Sequence, residues 1–448
     1  MRAYYVSSSD QNRSNSNDGT SAAAPWETLE RVNAATLVSG DAVFFKRGDV
    51  FRGTLVSTST GSSGQRIIYS AYGTGARPLI LGSKDLSSTS SWSEVLDNIW
   101  ETPSGVSETG YMGNLIFDHE TSCGVRKTTL GDCSAQGEFF LDESASGDGS
   151  IYLYSVGNPA QHYSHIEAGG VFSENVVSLE AASYLTLSNL DVRYSANNGI
   201  FLQDTDHIIV EDCSVAWIGG MYYMGGPVRM GNGIQMWVSN SNIILRYNRI
   251  DQIYDAGVSP QGGGTYTQAN IQMSYNLISN CGYSYEVFTS AGSTLDNVTF
   301  DNNTCVGAGN QWSATQRPDT GNARHVMNWE GGGTVTSCNI RNNIFKDSTN
   351  TAFRFGDEVA FDVDYNLYDV ATLGTVSSST CTTLSDWQTR TSQDSHSLSG
   401  DPGLVSPTDL HLQSSSPARD RGTDIGLTRD YDGVPIGGLP DMGALEYH

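Results

Sequence analysis

Seven short runs carry one six-residue pattern, and that pattern limits the fold more than any other feature of the chain. They are Leu187–Val192, Val210–Val215, Leu245–Ile250, Met273–Ile278, Phe300–Cys305, Ile340–Phe345 and Val363–Tyr368. Their fourth positions are Leu190, Cys213, Asn248, Asn276, Asn303, Asn343 and Asn366, separated by 23, 35, 28, 27, 40 and 23 residues. The shortest step recurs at both ends, as it should if one rung takes that many residues and the longer steps contain inserted loops. Any single Asn suits a turn. Five in one shared phase predict a ladder of stacked amides that satisfy each other and the bent backbone.

A second register runs from Asn197 to Glu330. Aligning its short segments puts Ile200, Ile234, Val258, Val287 and Met327 in one apolar phase, expected to face a core with period two. The opposite phase then carries Gln203, Gln235, Asp255, Gln261, Glu286, Asn328 and Glu330 on one outward strip. Repeat length, ladder and phase together imply an all-β right-handed parallel β-helix, with successive strands ~4.8 Å apart. One solenoid domain is expected over 1–448. It comprises a cap and entry segment at 1–58 with a short helix from Leu29 to Leu37, rungs over 59–400 broken by an irregular, hairpin-rich insertion at about 83–167, and a closing segment at 401–448 in which Leu410 to Leu412 is a last strand.

Composition narrows the partners. The 49 acidic residues against 24 Lys and Arg give a net charge of −25, which repels nucleic acid and leaves no polybasic membrane patch. No stretch approaches the ~20 apolar residues of a membrane-spanning helix. From Arg2 onward the chain reads like a mature extracellular protein behind an added Met, and a secreted monomer is expected. The seven cysteines lack C-x-x-C spacing, which argues against a zinc cluster; Cys123 and Cys133 are candidates to pair across a loop, and Cys213, Cys305 and Cys338 read as small core residues.

The run Gly40 to Gly53, the Asn-marked rungs and the ending Pro440-Asp-Met-Gly-Ala-Leu-Glu-Tyr resemble the pectate-lyase-like superfamily of secreted right-handed β-helix proteins over nearly the whole chain. The resemblance implies a carbohydrate polymer lying across the outward face of the strands. It does not choose among the lyases, hydrolases, epimerases and tailspikes of that superfamily.

Glycoside hydrolysis needs two carboxylates flanking the scissile bond. By the alignment above, Asp255 and Glu286 lie on adjacent rungs one outward position apart, with Cα atoms about 8 Å apart. Glu286, among Tyr283, Tyr285 and Phe288, reads as the acid, and Asp255, beside small residues, as the nucleophile or base. Gln235, Gln261, Asn328 and Glu330 are candidate sugar ligands, Glu330 standing ~14 Å from Glu286. Long steps place loops at 216–229, 262–268 and 306–323, whose Trp217, Tyr222, Tyr223, Tyr266 and Trp312, together with Trp237 on its strand, offer rings for stacking on sugars or for packing the loops down.

The competing chemistry is β-elimination on a uronate polymer, with Arg324, His325, Lys346 and Arg354 as candidate bases or neutralising groups. His325 falls in the inward phase, which disfavours it as a base. The hydrolase reading needs no cofactor. A lyase could use Ca²⁺, for which Asp204 with Asp206, or Asp357 with Glu358 and Asp362, supply oxygen. A non-catalytic, tailspike-like binder would use the same groove without the carboxylate pair.

Overall fold

The computed structural model describes residues 1–108, 111–142, 149–222, 229–316, 323–329, 331–355 and 360–448. Its strands stack in parallel into three faces around one apolar core. The first face holds Ala3–Val6, Ala42–Lys46, Ile67–Tyr72, Ser183–Ser188, Asp206–Glu211, Ser241–Arg246, Thr267–Ser274, Thr294–Asp301, Cys338–Arg341 and Phe361–Asp364 in that order. The second runs from Val50–Arg52 and Leu79–Leu81 through Asp191–Arg193 and Ser214–Ile218, the third from Leu55–Ser57 through Val177–Glu180, Ile200–Gln203 and Ile234–Trp237. Two long strands, Arg249–Gly262 and Leu277–Thr289, pass through both the second and third faces. This is the parallel β-helix that the repeat predicts.

The ladder forms as read. Asn248, Asn276, Asn303 and Asn343 each donate Nδ2–H to Oδ1 of the next Asn, at 3.0–3.1 Å, and Asn366 ends the series with Ser397 Oγ on its N–H. Tyr247, Tyr275, Asn302, Asn342 and Tyr365, one residue before each, all have positive φ. Each turn is thus a left-handed residue followed by an amide that collects the backbone donors the bend exposes. A second ladder, Asn175, Asn198 and Asn232, opens the third face.

The cap differs in detail from the expectation. Its helix covers only Leu29–Asn33, with Thr28 Oγ1 as N-cap, and lays Leu29 and Val32 on the core beside Trp26, which stacks on Tyr4 at 4.6 Å. The far end is sealed by the helix Leu384–Thr391, whose Trp387 stacks on Phe353 at 5.3 Å. The segment from 401 onward therefore does not close the stack. It runs along its side, packing Leu410 and Leu445 on Tyr247, Tyr275 and Leu277, and Leu412 makes only an isolated bridge to Leu404.

Between Leu79–Leu81 and Val177–Glu180 the chain leaves the stack. The insertion builds one four-stranded and one five-stranded sheet, mostly antiparallel, over its own core of Trp92, Leu115, Phe117, Phe139, Leu153 and Ile166. All seven cysteines are free, so Cys123 and Cys133 do not pair. Cys123 Sγ instead faces the Trp312 carbonyl oxygen at 3.7 Å. No helix among the described residues is long and apolar enough to cross a membrane.

Candidate functional site

The third face shows a register that differs from the alignment by eye. Val258 pairs with Tyr285, not Val287, and Tyr285 with Val326, not Met327. Tyr285 fills the inward position because its ring stacks on Phe300 at 4.9 Å deep in the core. Three consequences follow. Glu286 stands level with Ser259, four residues along the strand from Asp255. Met327 turns outward, packed under Trp329 with Tyr283 and Ala256. Asn328, paired with Val287, turns inward and is fully buried, so its expected place among the sugar ligands is lost.

Two outward columns lie side by side. One reads Phe201, Gln235, Ser259, Glu286, Met327, Arg354; the other reads Gln203, Trp237, Gln261, Phe288, Trp329. Glu286 is the one carboxylate among these residues and is 5% exposed. Its Oε1 accepts the Trp329 Nε1–H at 2.6 Å, and its Oε2 accepts from Ser259 Oγ at 3.2 Å and Gln261 Nε2 at 3.3 Å. Gln261 also donates to Ser259 Oγ at 2.9 Å, and Gln235 accepts from Asn232 at 3.3 Å. Donors on both oxygens suit an ionised carboxylate held in one orientation. The Arg354 guanidinium lies 5.3 Å over the Trp329 ring. Half-exposed Trp237, Phe288 and Trp329 flank the carboxylate with ring surface.

Arg324 begins the same strand and is paired with Tyr283. Burial lowers its pKa, the neighbouring Arg354 charge adds to the fall, and Tyr283 opposes it. Two guanidiniums thus share the edge of the site. His325 points into the core against Phe345, with Nδ1 3.0 Å from Ser284 Oγ, and burial pushes it down to about 3, so it is a neutral packing residue. Lys346 lies on the second face and is paired with Asp369 and Asp401.

Asp255 sits where the pairing slips between Ile253 and Ala256, half-buried, its N–H donating to Gly231. Extended backbone over the four residues to Ser259 spans at most roughly 14 Å. The single outward step inferred from the sequence is therefore replaced by a longer path across a bulged corner. Glu330, Tyr223, Asp357 and Glu358 lie outside the described residues. Among the described residues no three His, Cys, Asp or Glu side chains form a metal cluster, and Asp206 is engaged by Ser241, Asn242 and His207.

The loop aromatics pack rather than line the columns. Trp312 lies 5.6 Å from Tyr254 and 5.8 Å from the Arg229 guanidinium, Trp217 joins Leu81, Ile116 and Tyr194, and Tyr266 donates its hydroxyl to the Phe288 carbonyl. Tyr222 is covered by Arg126 and Arg229 at 4.6 and 5.7 Å. Ser259 and Trp329 are site residues that the sequence reading lacks. Strict alternation outward from Val258 and Val326 names both.

Among solved structures, the chain is similar to a GH136 lacto-N-biosidase from Eubacterium ramulus, at 16% identity and TM-score 0.50, covering 84% of this chain and 57% of that one. It is also similar to the pectate lyase Pel9A, at 13% identity and TM-score 0.47 over 100% and 97% of the two chains, and to XylC in complex with xylose, at 10% and 0.46 over 99% and 98%. The chain thus spans little over half the length of the lacto-N-biosidase. No curated protein matches in sequence. The family described as "Right handed beta helix region" matches residues 151–382, half of the chain, and with its parallel rungs and asparagine ladder the chain belongs to that family.

Proposed function

We propose that this protein is an extracellular carbohydrate-active enzyme that cleaves a polysaccharide by hydrolysis on the third face, with Glu286 at the reaction centre. The observation that carries the reading is the fixing of Glu286 on both oxygens by Trp329, Ser259 and Gln261, between half-exposed rings on an outward face. A carboxylate so held suits the ionised member of a pair, the nucleophile or base, rather than the acid expected from its aromatic neighbours. Asp255 then takes the acid role. Its place four residues upstream and one rung away, across the bulge between Ile253 and Ala256, leaves the retaining and inverting outcomes to the anomeric assay. Gln235, Gln261, Trp237 and Trp329 would orient the sugar. The β-helix fold by itself does not choose the chemistry.

One observation favours a second reading. Arg324 and Arg354 at the edge of the site would neutralise a uronate carboxylate, as a lyase requires, with Ca²⁺ as a possible supplement. The test is incubation with neutral and uronic polysaccharides, with and without chelator, following reducing ends and unsaturated-uronate absorbance together. Reducing ends alone are expected, and NMR of the first-formed anomer assigns the stereochemistry. Ultraviolet absorbance rising in step with them overturns hydrolysis.

A further inference from the structure

The insertion does more than interrupt the stack: it walls a cavity of about 460 Å³ against the first three strands of the second face. Its floor is apolar, made by Val50, Leu79 and Leu81. Its walls are fixed by ion pairs. Both Arg52 nitrogens bind Glu167 at 2.7 Å, and Arg193 binds both Asp191 oxygens and Glu120. Tyr194 donates its hydroxyl to Glu120 at 2.9 Å. The His119 and His165 rings stack at 4.1 Å above them.

Two features single this cavity out. Asp118, His119 and Glu120 are three consecutive non-glycine residues with φ of 50°, 52° and 72°, a left-handed run in which each Cβ crowds the following carbonyl oxygen. That strain presents His119 and Glu120 to the cavity, and such strain concentrates at functional sites. The ion pairs also leave polar groups over. Glu120 Oε2 has no partner among the described residues, buried His165 Nδ1 has none, and half-buried Arg77 makes no ion pair with a described residue. These offer an acceptor, a donor or acceptor, and a donor around an apolar floor.

We infer that this cavity is a second saccharide site that takes a neutral sugar unit, its apolar face on Leu79 and Leu81 and its hydroxyls on Glu120, His165 and Arg77. Neutral, because three arginines in the lining face three carboxylates, so a charged ligand would add an unmatched charge. The site stands ~14–24 Å along the stack from Glu286, three to five rungs away on another face. It therefore does not depend on the role of Glu286.

The test uses the full chain with labelled histidines, in wild type and in Glu286→Gln. Xylohexaose, cellohexaose and mannohexaose are titrated in turn, with an oligogalacturonate as the charged comparison. One neutral probe should shift the His119 and His165 resonances in both proteins, with the His119 signal identified by its loss in His119→Ala. Arg77→Ala and His119→Ala should each weaken that probe at least ~10-fold, about 1.4 kcal/mol, with Tm unchanged. The inference is overturned if no neutral probe shifts these histidines at millimolar concentration, if the variants bind unchanged, or if oligogalacturonate binds best.

Discussion

Asn303 lies in the middle of the buried ladder, and replacing it by Ala gives the most direct measure of what the ladder contributes. Its Oδ1 accepts from the Asn276 N–H and Nδ2 at 3.0 Å each, and its Nδ2 donates to Met273 O, Asp301 O and Asn343 Oδ1 at 3.1–3.2 Å. Alanine leaves the fully buried Asn276 N–H with no acceptor, while Asn276 Nδ2 keeps its bond to Leu245 O. A buried donor left unmade costs ~1–3 kcal/mol, and each further lost bond ~0.5–1.5. With three further bonds, one from Asn276 Nδ2 and two from the two Nδ2 hydrogens of Asn303, the sum is about 2.5–7.5 kcal/mol. The comparison is Asn270→Gly, in the exposed ladder of Asn242, Asn270 and Asn297, where water replaces the lost amide and glycine accepts the φ of 57°. That change should stay within ~0.5 kcal/mol. Urea unfolding followed by tryptophan fluorescence gives both values, provided the slope is unchanged. A loss below ~1 kcal/mol for Asn303→Ala, or equal losses for the two, would show that the amide stack is incidental to stability.

Four further outcomes are expected. Glu286→Gln should lower kcat by ~10³-fold or more while oligosaccharide binding on the third face persists; activity within tenfold of wild type removes Glu286 from the reaction centre. Trp329→Phe keeps the ring but loses the hydrogen bond to Glu286, and kcat should fall ~10–100-fold, with KM moving less. Glu446 is pushed up to about 7 by burial and then by Asp441 and Asp430, so the folded state holds its proton more tightly than the unfolded one. That contribution is complete below the ordinary value near 4.5 and is lost as pH rises through about 7; Glu446→Gln should raise Tm above pH 7 and leave it unchanged near pH 4, and an equal change at both would refute the assignment. Mass spectrometry after alkylation without reductant should count seven modified cysteines in denatured protein, and in native protein modification confined to half-buried Cys123.

The sequence reveals the ladder and hides the site for one physical reason. The ladder depends on a single residue type at a single turn position, and five buried Asn in phase leave little else to explain them. The third face depends on register, which a one-residue slip inverts. In Tyr283–Phe288 both Tyr285 and Val287 point inward, and taking Val287 as the partner of Val258 moves Glu286 two residues, from level with Ser259 to level with Gly257, one outward position from Asp255. In the next strand Met327 resembles a core residue and Asn328 a surface one, and the fold reverses both. The anchor that resolves the register is the corner column Gly199, Gly233, Gly257, Ser284, His325. A Cβ added at Gly199 would stand 2.6 Å from Val215 Cγ1, and one at Gly257 2.7 Å from Ile278 Cγ2, so the corner admits no side chain until it widens at Ser284 and His325. Aligned on that column, the residue after it is always inward and the next outward, giving Gln235, Ser259, Glu286 and Met327 in turn. The same reasoning separates the two carboxylates chosen from the sequence. Glu286 falls on the regular part of the lattice, where neighbours on both sides hold it. Asp255 falls before the corner, at the slip in pairing, where the lattice sets no fixed outward direction. Of the two, it is therefore Asp255 whose orientation depends on the surrounding loops, and its replacement should be the more sensitive to changes in them.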